Sequence, residues 1–147
     1  MEQEPCEEVG DARPEVTAAV TRGATRLLLD LGLAPVAELC LPNGRRADLA
    51  GLSKQGEIVM VEVKSCRADF EVDNKWPEYK DYCDRFYFAV APDFPIDLLP
   101  ADEGLIIADA FGGEIIRPSA TNPLAGARRK TALIRIARHA AFRTLTS

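Results

Sequence analysis

The sequence has no long hydrophobic run, a single histidine and no closely spaced pair of cysteines. No window approaches the ~18 apolar residues of a membrane-spanning helix, so we expect no membrane partner. The N-terminus is acidic where a signal peptide is basic and then apolar, which favours a cytoplasmic location. Scattered cysteines and one histidine also argue against a zinc site, and we expect reduced thiols at Cys6, Cys40, Cys66 and Cys83.

The chain has 147 residues, of which 47% are hydrophobic and 28% charged, as in one globular domain. Its net charge of −5 is unevenly distributed. Residues 1–15 hold six acids and one base, whereas residues 115–147 hold seven bases and no acid. We therefore predict an acidic, disordered tail over residues 1–12 and one domain over residues 13–147, with a basic C-terminal quarter.

Hydrophobic periodicity and turn signals predict an ordered series of elements. These are a helix over 14–32, strands over 36–41, 45–52 and 57–64, a helix over 77–84, a buried strand over 86–90, a hairpin over 104–117 and a helix over 123–142. The first three strands form an antiparallel meander, and the next helix is a crossover to a parallel strand. In the last helix one broad face is expected to be apolar, opposite Arg128, Arg135 and Arg138. The residues of that face are Leu133, Ile134, Ile136, Ala137, Ala140 and Ala141.

The order predicts an α/β fold in which helices flank a mixed β-sheet. In the second hairpin, a three-residue loop ending at Gly56 places Ser53 opposite Glu57. Counting back, Asp48 lies opposite Glu62, and Lys64 lies on the same face as Glu62. Facing carboxylates repel, so a proton, a lysine or a metal ion must offset the repulsion. Two carboxylates suit Mg²⁺ and phosphodiester hydrolysis, whereas the simpler alternative is a charged cross-strand cluster neutralised by Lys64.

An aspartate followed about a dozen residues later by Glu62-Val63-Lys64, within this element order, resembles the PD-(D/E)XK nuclease superfamily. A longer string resembles the MmcB-like DNA repair proteins of bacteria. It comprises Gly44-Arg45-Arg46-Ala47-Asp48, Val61-Glu62-Val63-Lys64-Ser65, Asp69-Phe70, Lys75-Trp76-Pro77-Glu78-Tyr79, Asp81-Tyr82-Cys83-Asp84, Tyr87-Phe88-Ala89-Val90 and Ala127-Arg128-Arg129-Lys130. The resemblance implies a restriction-endonuclease-like fold (an α-β-β-β-α-β core with a C-terminal hairpin and helix) and a role in DNA repair.

The resemblance also implies roles for individual residues. Asp48 and Glu62 would hold Mg²⁺ or Mn²⁺, and Lys64 would be the catalytic lysine. The proline of the motif is replaced by Ala47, which is not a ligand position. Some members also use a glutamate in the first helix, for which Glu15 is a poor match.

DNA is the expected partner, with other repair proteins as further partners. Candidate DNA contacts are Arg46, Lys75, Trp76, Arg128 and Arg129. Trp76 equally suits the inner face of the crossover helix, and the arginines equally suit a solvated helix face. Two hypotheses follow: a metal-dependent DNA nuclease, or a non-catalytic DNA-binding or protein-docking repair module. An RNA nuclease would use the same chemistry.

Overall fold

The structure is a computed structural model that describes residues 12–66 and 76–146. Nearly all of the predicted acidic tail, as well as Lys75, lies outside these residues. Two α-helices, six strands and two 3₁₀ helices follow in this order: α1 (Ala12–Asp30), β1 (Ala34–Cys40), β2 (Arg46–Leu52), β3 (Ile58–Val63), a 3₁₀ helix (Trp76–Tyr82), β4 (Arg85–Val90), a second 3₁₀ helix (Ile96–Leu98), β5 (Gly104–Asp109), β6 (Gly112–Arg117) and α2 (Gly126–Thr146). The predicted α/β class is confirmed.

Helix α1 buries Val20, Ala24 and Leu28, which are spaced by four residues and therefore share one face. It ends as predicted at Gly32, whose φ is +81°. The Leu33 N–H donates to the Leu28 carbonyl at 2.9 Å, and the Gly32 N–H donates to Leu29. These bonds satisfy carbonyls that the end of a helix leaves open.

The six strands form one sheet in sequential order from β1 to β6. The β1–β2 and β2–β3 pairs are antiparallel, so the predicted meander is confirmed. The predicted crossover is also confirmed, because β3 and β4 are parallel. β4 and β5 are parallel as well, and β5–β6 is an antiparallel hairpin.

The crossover element is a 3₁₀ helix rather than the predicted α-helix. Trp76 and Tyr79 both stack on Phe86, with ring centroids 5.8 and 6.2 Å away. Three residues per turn place residues i and i+3 on the same side, which aligns both rings with the sheet.

The sheet carries a core on each face. On one face α1 covers Leu49, Val61, Tyr87 and Ile106. On the other, the first 3₁₀ helix and α2 cover Met60, Phe86, Phe88 and their neighbours. Strands β3 and β4 are consequently buried on both faces.

Helix α2 buries little of its apolar face. Of its residues only Ile136 is buried, and Ile134 remains 50% exposed. The helix crosses β1, an edge strand of the sheet, where His139 Nε2 contacts the Ala37 carbonyl at 2.8 Å. Beyond that edge the remaining apolar side chains have little sheet surface to cover.

The cysteines divide into two states among the described residues. Cys40 and Cys83 carry free thiols, as expected. Cys66 is disulfide-bonded, so the expectation of a reduced thiol is wrong there. Within the described part of the chain, no helix is long and apolar enough to cross a membrane.

Candidate active site

Asp48 lies where strands β2 and β3 separate. The last pair of the ladder joins Leu49 to Val61, which places Asp48 opposite Glu62, as predicted. The predicted hairpin register is also found, because the Ser53 N–H donates to the Glu57 carbonyl at 2.9 Å. Two residues beyond Val61, the Val63 N–H donates to Asp48 Oδ2 at 2.8 Å. A carboxylate thus takes the place of the main-chain acceptor that a continued ladder would supply.

Glu62 and Lys64 lie side by side at the end of β3. Lys64 Nζ is 3.6 Å from Glu62 Oε2. Both residues are buried, with exposed fractions of 9% for Glu62 and 5% for Lys64. The Lys64 N–H donates to the Ala89 carbonyl at 3.0 Å, so the parallel strand β4 fixes the backbone beneath the lysine. The structure therefore brings the three predicted catalytic residues together.

Burial is the largest influence on the ionisation of Asp48. Burial raises the pKa of Asp48 above its ordinary value of 3.8. The hydrogen bonds with Val63 and Glu62 and the charges of Lys64 and Arg46 lower the same pKa without cancelling the rise. Loss of hydration, and not repulsion by Glu62, is therefore the main cause of the raised pKa.

Of the two arginines before Asp48, Arg46 is the one beside the cluster. It is exposed, and its charge acts on Asp48. Arg45 lies 3.6 Å from Glu78 instead. This agrees with the alternation of side chains along a strand.

Trp76 is placed in the core beside the cluster. Its ring stacks on Phe86 and meets Phe88 edge-on at 5.3 Å between centroids. Phe88 is the β4 partner of Glu62 in the parallel register. Trp76 therefore packs on the inner side of the crossover helix, which was the structural alternative to a DNA contact.

Arg128 and Arg129 differ in their surroundings. Arg129 makes a bidentate pair with Asp84, at 2.7 and 2.9 Å, and also donates to the Gly56 carbonyl. Arg128 is exposed, packs its guanidinium over Tyr82 and donates to the Asp81 carbonyl. Arg129 thus joins α2 to the sheet, whereas Arg128 presents charge at the surface.

Asp84 is the residue whose role the sequence analysis missed. It is 3% exposed and also accepts hydrogen bonds from the Ile58 and Leu124 N–H groups. Burial raises its pKa, but the hydrogen bonds from Arg129, Ile58 and Leu124 outweigh burial and bring the pKa to about 2. The sequence signal that could have identified it is the position of this aspartate, just before the predicted buried strand over 86–90.

The candidate donors for a divalent cation are the two carboxylates of Asp48 and Glu62. Among the described residues, no group of three or more histidine, cysteine, aspartate or glutamate side chains could hold a metal ion. Glu15 is exposed at the start of α1. Two carboxylates with waters and main-chain oxygen are nevertheless a donor set that Mg²⁺ accepts, so the residues present fit the ion.

The fold and cluster define an α/β protein with a six-stranded mixed sheet and three acid–base groups at the end of its central strands. The sequence profile of the DNA repair protein MmcB-like family matches residues 4–147, and the chain belongs to that family. A solved structure of a protein of unknown function from Silicibacter pomeroyi is 44% identical, with 88% of each chain covered and a TM-score of 0.84. Among curated proteins, none matches the chain.

Proposed function

We propose that this protein is a metal-dependent DNA nuclease of bacterial DNA repair, with the restriction-endonuclease-like core of the PD-(D/E)XK superfamily. The observation that carries the proposal is the meeting of Asp48, Glu62 and Lys64 where β2 and β3 separate. Membership of a DNA repair family supports DNA as the substrate.

In this proposal Asp48 and Glu62 hold Mg²⁺ or Mn²⁺. Such an ion supplies an acidified water and neutralises charge on the phosphate. The Val63 N–H holds the Asp48 carboxylate in place, and the Lys64 ion pair holds Glu62. Lys64 also orients the attacking water or stabilises the negative charge that develops on the phosphate.

DNA would approach over two exposed cations. Arg46 lies next to Asp48, and Arg128 lies on α2 over Tyr82. Lys75 remains a predicted phosphate contact outside the described residues. We leave Trp76 and Arg129 out of this surface, because the aromatic core and Asp84 already engage them.

The test is cleavage of single-stranded, nicked, branched and duplex DNA with Mg²⁺ or Mn²⁺. Glu62→Gln and Lys64→Ala should each lower the rate at least about 100-fold. Glu103 and Lys80 form a matched control pair, since Glu103 is 8% exposed and lies 2.8 Å from Lys80. Glu103→Gln and Lys80→Ala should retain cleavage. Equal activity in Glu62→Gln and Glu103→Gln would contradict the proposed site, and parallel reactions with RNA test the RNA alternative.

The second candidate is a non-catalytic DNA-binding or docking module on the same fold. The observation that favours it is the Glu62–Lys64 ion pair, in which lysine neutralises one carboxylate without a metal ion. Saturable DNA binding without cleavage of any substrate in the panel would support this candidate and exclude the nuclease.

A further inference from the structure

Helix α2 and the edge of the sheet enclose an apolar cavity of about 320 Å³. Aliphatic side chains from both sides form most of its wall: Leu39, Leu41, Met60, Ala132 and Ile136. A second pocket of about 320 Å³ continues along the outer side of β1 and shares Leu39, Thr131 and Arg135 with the first. We call the two together the α2 groove.

The second pocket of the groove opens onto apolar side chains that the fold leaves uncovered. Ile134 and Phe142 both line it, and they are 50% and 56% exposed. An apolar strip therefore lies exposed beside an apolar cavity. Covering such side chains is energetically favourable, which is why exposed apolar patches mark interaction sites.

The rim of the groove is positively charged. Arg128, Arg135 and Arg138 line it, and none of the described residues that line either pocket is an aspartate or glutamate. Arg135 borders both pockets, and its Nε is buried without an acceptor among the described residues. A rim of guanidinium groups with no carboxylate among the lining residues favours an occupant that brings acceptors of its own.

The chemistry of the cavity wall distinguishes between two anionic occupants, a nucleic acid and an acidic peptide. A nucleobase in the cavity would place its polar edges against a mostly apolar wall, where Tyr82 and Thr131 are among the few hydrogen-bond partners away from the arginine rim. An aliphatic or aromatic amino-acid side chain has no such groups to satisfy. We propose that the α2 groove binds an acidic peptide segment of a partner protein, with an apolar side chain in the cavity and carboxylates on Arg135 and Arg138.

None of Asp48, Glu62 and Lys64 lines the groove, which shares only Arg128 with the proposed DNA surface. Fluorescence anisotropy tests the proposal. The probe is a fluorescein-labelled octapeptide of five aspartates followed by leucine, glycine and phenylalanine. We expect saturable binding with a Kd on the order of 10–100 μM. A second peptide, in which serine replaces leucine and phenylalanine, should bind at least tenfold more weakly.

Two variants test the groove, each with a matched control on the same helix. Ala132→Leu fills the cavity, whereas Ala140→Leu adds the same volume at an exposed position outside both pockets. Arg135→Gln removes a rim charge, whereas Arg143→Gln removes one that faces Glu38. Ala132→Leu and Arg135→Gln should weaken peptide binding at least tenfold while their melting temperatures stay close to that of the wild type. The two control variants should bind the peptide as the wild type does.

Three outcomes would overturn the proposal. The first is the absence of saturable binding up to about 1 mM peptide. The second is a labelled thymidine oligonucleotide that binds more tightly than the peptide and is weakened equally by Ala132→Leu, which would assign the groove to DNA. The third is binding that appears only after the acids of residues 1–11 are changed to amides, which would assign the groove to the chain's own N-terminal segment. Glu62→Gln should leave peptide binding unchanged, so loss of cleavage and loss of docking are separately observed.

Discussion

At the scale of single residues, the candidate site is a place where burial opposes ionisation. The Val63 N–H donates to Asp48, and the charges of Lys64 and Arg46 act on its carboxylate, but burial still raises its pKa. A partly buried carboxylate loses hydration that these interactions do not fully replace. Free energy of folding is therefore given up at the cluster, and a cation could recover it.

The pH dependence of Asp48→Asn follows from this opposition. A raised pKa means that the folded state holds the Asp48 proton more tightly than the unfolded chain does. Below the ordinary pKa of 3.8 the wild type and the variant should be equally stable. As the pH rises through the folded pKa, the wild type should become the less stable of the two in metal-free urea unfolding. Asp93→Asn makes the same substitution at an exposed position and is the control.

Asp84 should show the opposite pH dependence. Its folded pKa of about 2 lies below the ordinary value of 3.8, so its stabilisation is present above 3.8 and disappears as the pH falls to about 2. Asp84→Asn should lower the free energy of unfolding by about 2–3 kcal/mol at neutral pH. Glu57→Gln is the control, because its ion pair with Arg85 is about one-third exposed and should be worth less than about 1 kcal/mol.

At the scale of elements, strand β1 is distorted opposite the candidate site. Glu38 has a φ of +55°, the only positive value outside glycine among the described residues. Its neighbours pair Ala37 with Leu49 and Leu39 with Ala47, which places Glu38 opposite Asp48. The distortion in β1 and the separation of β2 from β3 thus meet at one residue.

Substitutions at Glu38 test whether this distortion is intrinsic to the fold. Glu38→Gly should preserve or raise stability by up to about 1 kcal/mol, because glycine adopts positive φ freely. Glu38→Val should cost about 1–3 kcal/mol, since a β-branched side chain disfavours that conformation. Cys40→Val, exposed on the same strand, is the control and should be tolerated. Equal stability of Glu38→Val and Cys40→Val in urea unfolding would contradict the account.

Much of the element structure could be predicted because local signals determine it. Gly56 requires a positive φ, and that turn fixes the β2–β3 register and hence the position of Asp48 opposite Glu62. The burial of α2 could not be predicted, because its amphipathic pattern does not show where the sheet ends. The roles of Trp76 and Arg129 depended on partners distant in sequence, Phe86 and Asp84, which periodicity does not identify.

At the scale of the whole molecule, charge is segregated along the chain. Residues 1–11 contain five acids and no base, against a net charge of −5 for the full chain. The remainder is neutral overall and places its acid-free basic region on α2. Association with DNA should therefore depend on where charge lies rather than on its sum.

Neutralising the N-terminal acids should strengthen DNA binding. Changing Glu2, Glu4, Glu7, Glu8 and Asp11 to their amides raises the net charge from −5 to zero and keeps the chain length. DNA affinity at low ionic strength should rise, and the gain should fade by about 0.5 M salt, where charges are screened. A gain that persists unchanged in high salt, measured by anisotropy of a labelled duplex, would contradict an electrostatic origin.

The central claim is that Asp48 and Glu62 form a divalent-cation site, and thermal melting with Mn²⁺ or Mg²⁺ tests it most directly. At about 100 times Kd, a bound ion should stabilise the fold by about 2.7 kcal/mol. This corresponds to a rise in Tm of about 5–10 °C for a domain of this size. Asp48→Asn should lose that rise, whereas Lys64→Ala should retain it. An equal rise in wild type and Asp48→Asn, or none in wild type, would contradict the site and leave the cluster as a neutralised set of cross-strand charges.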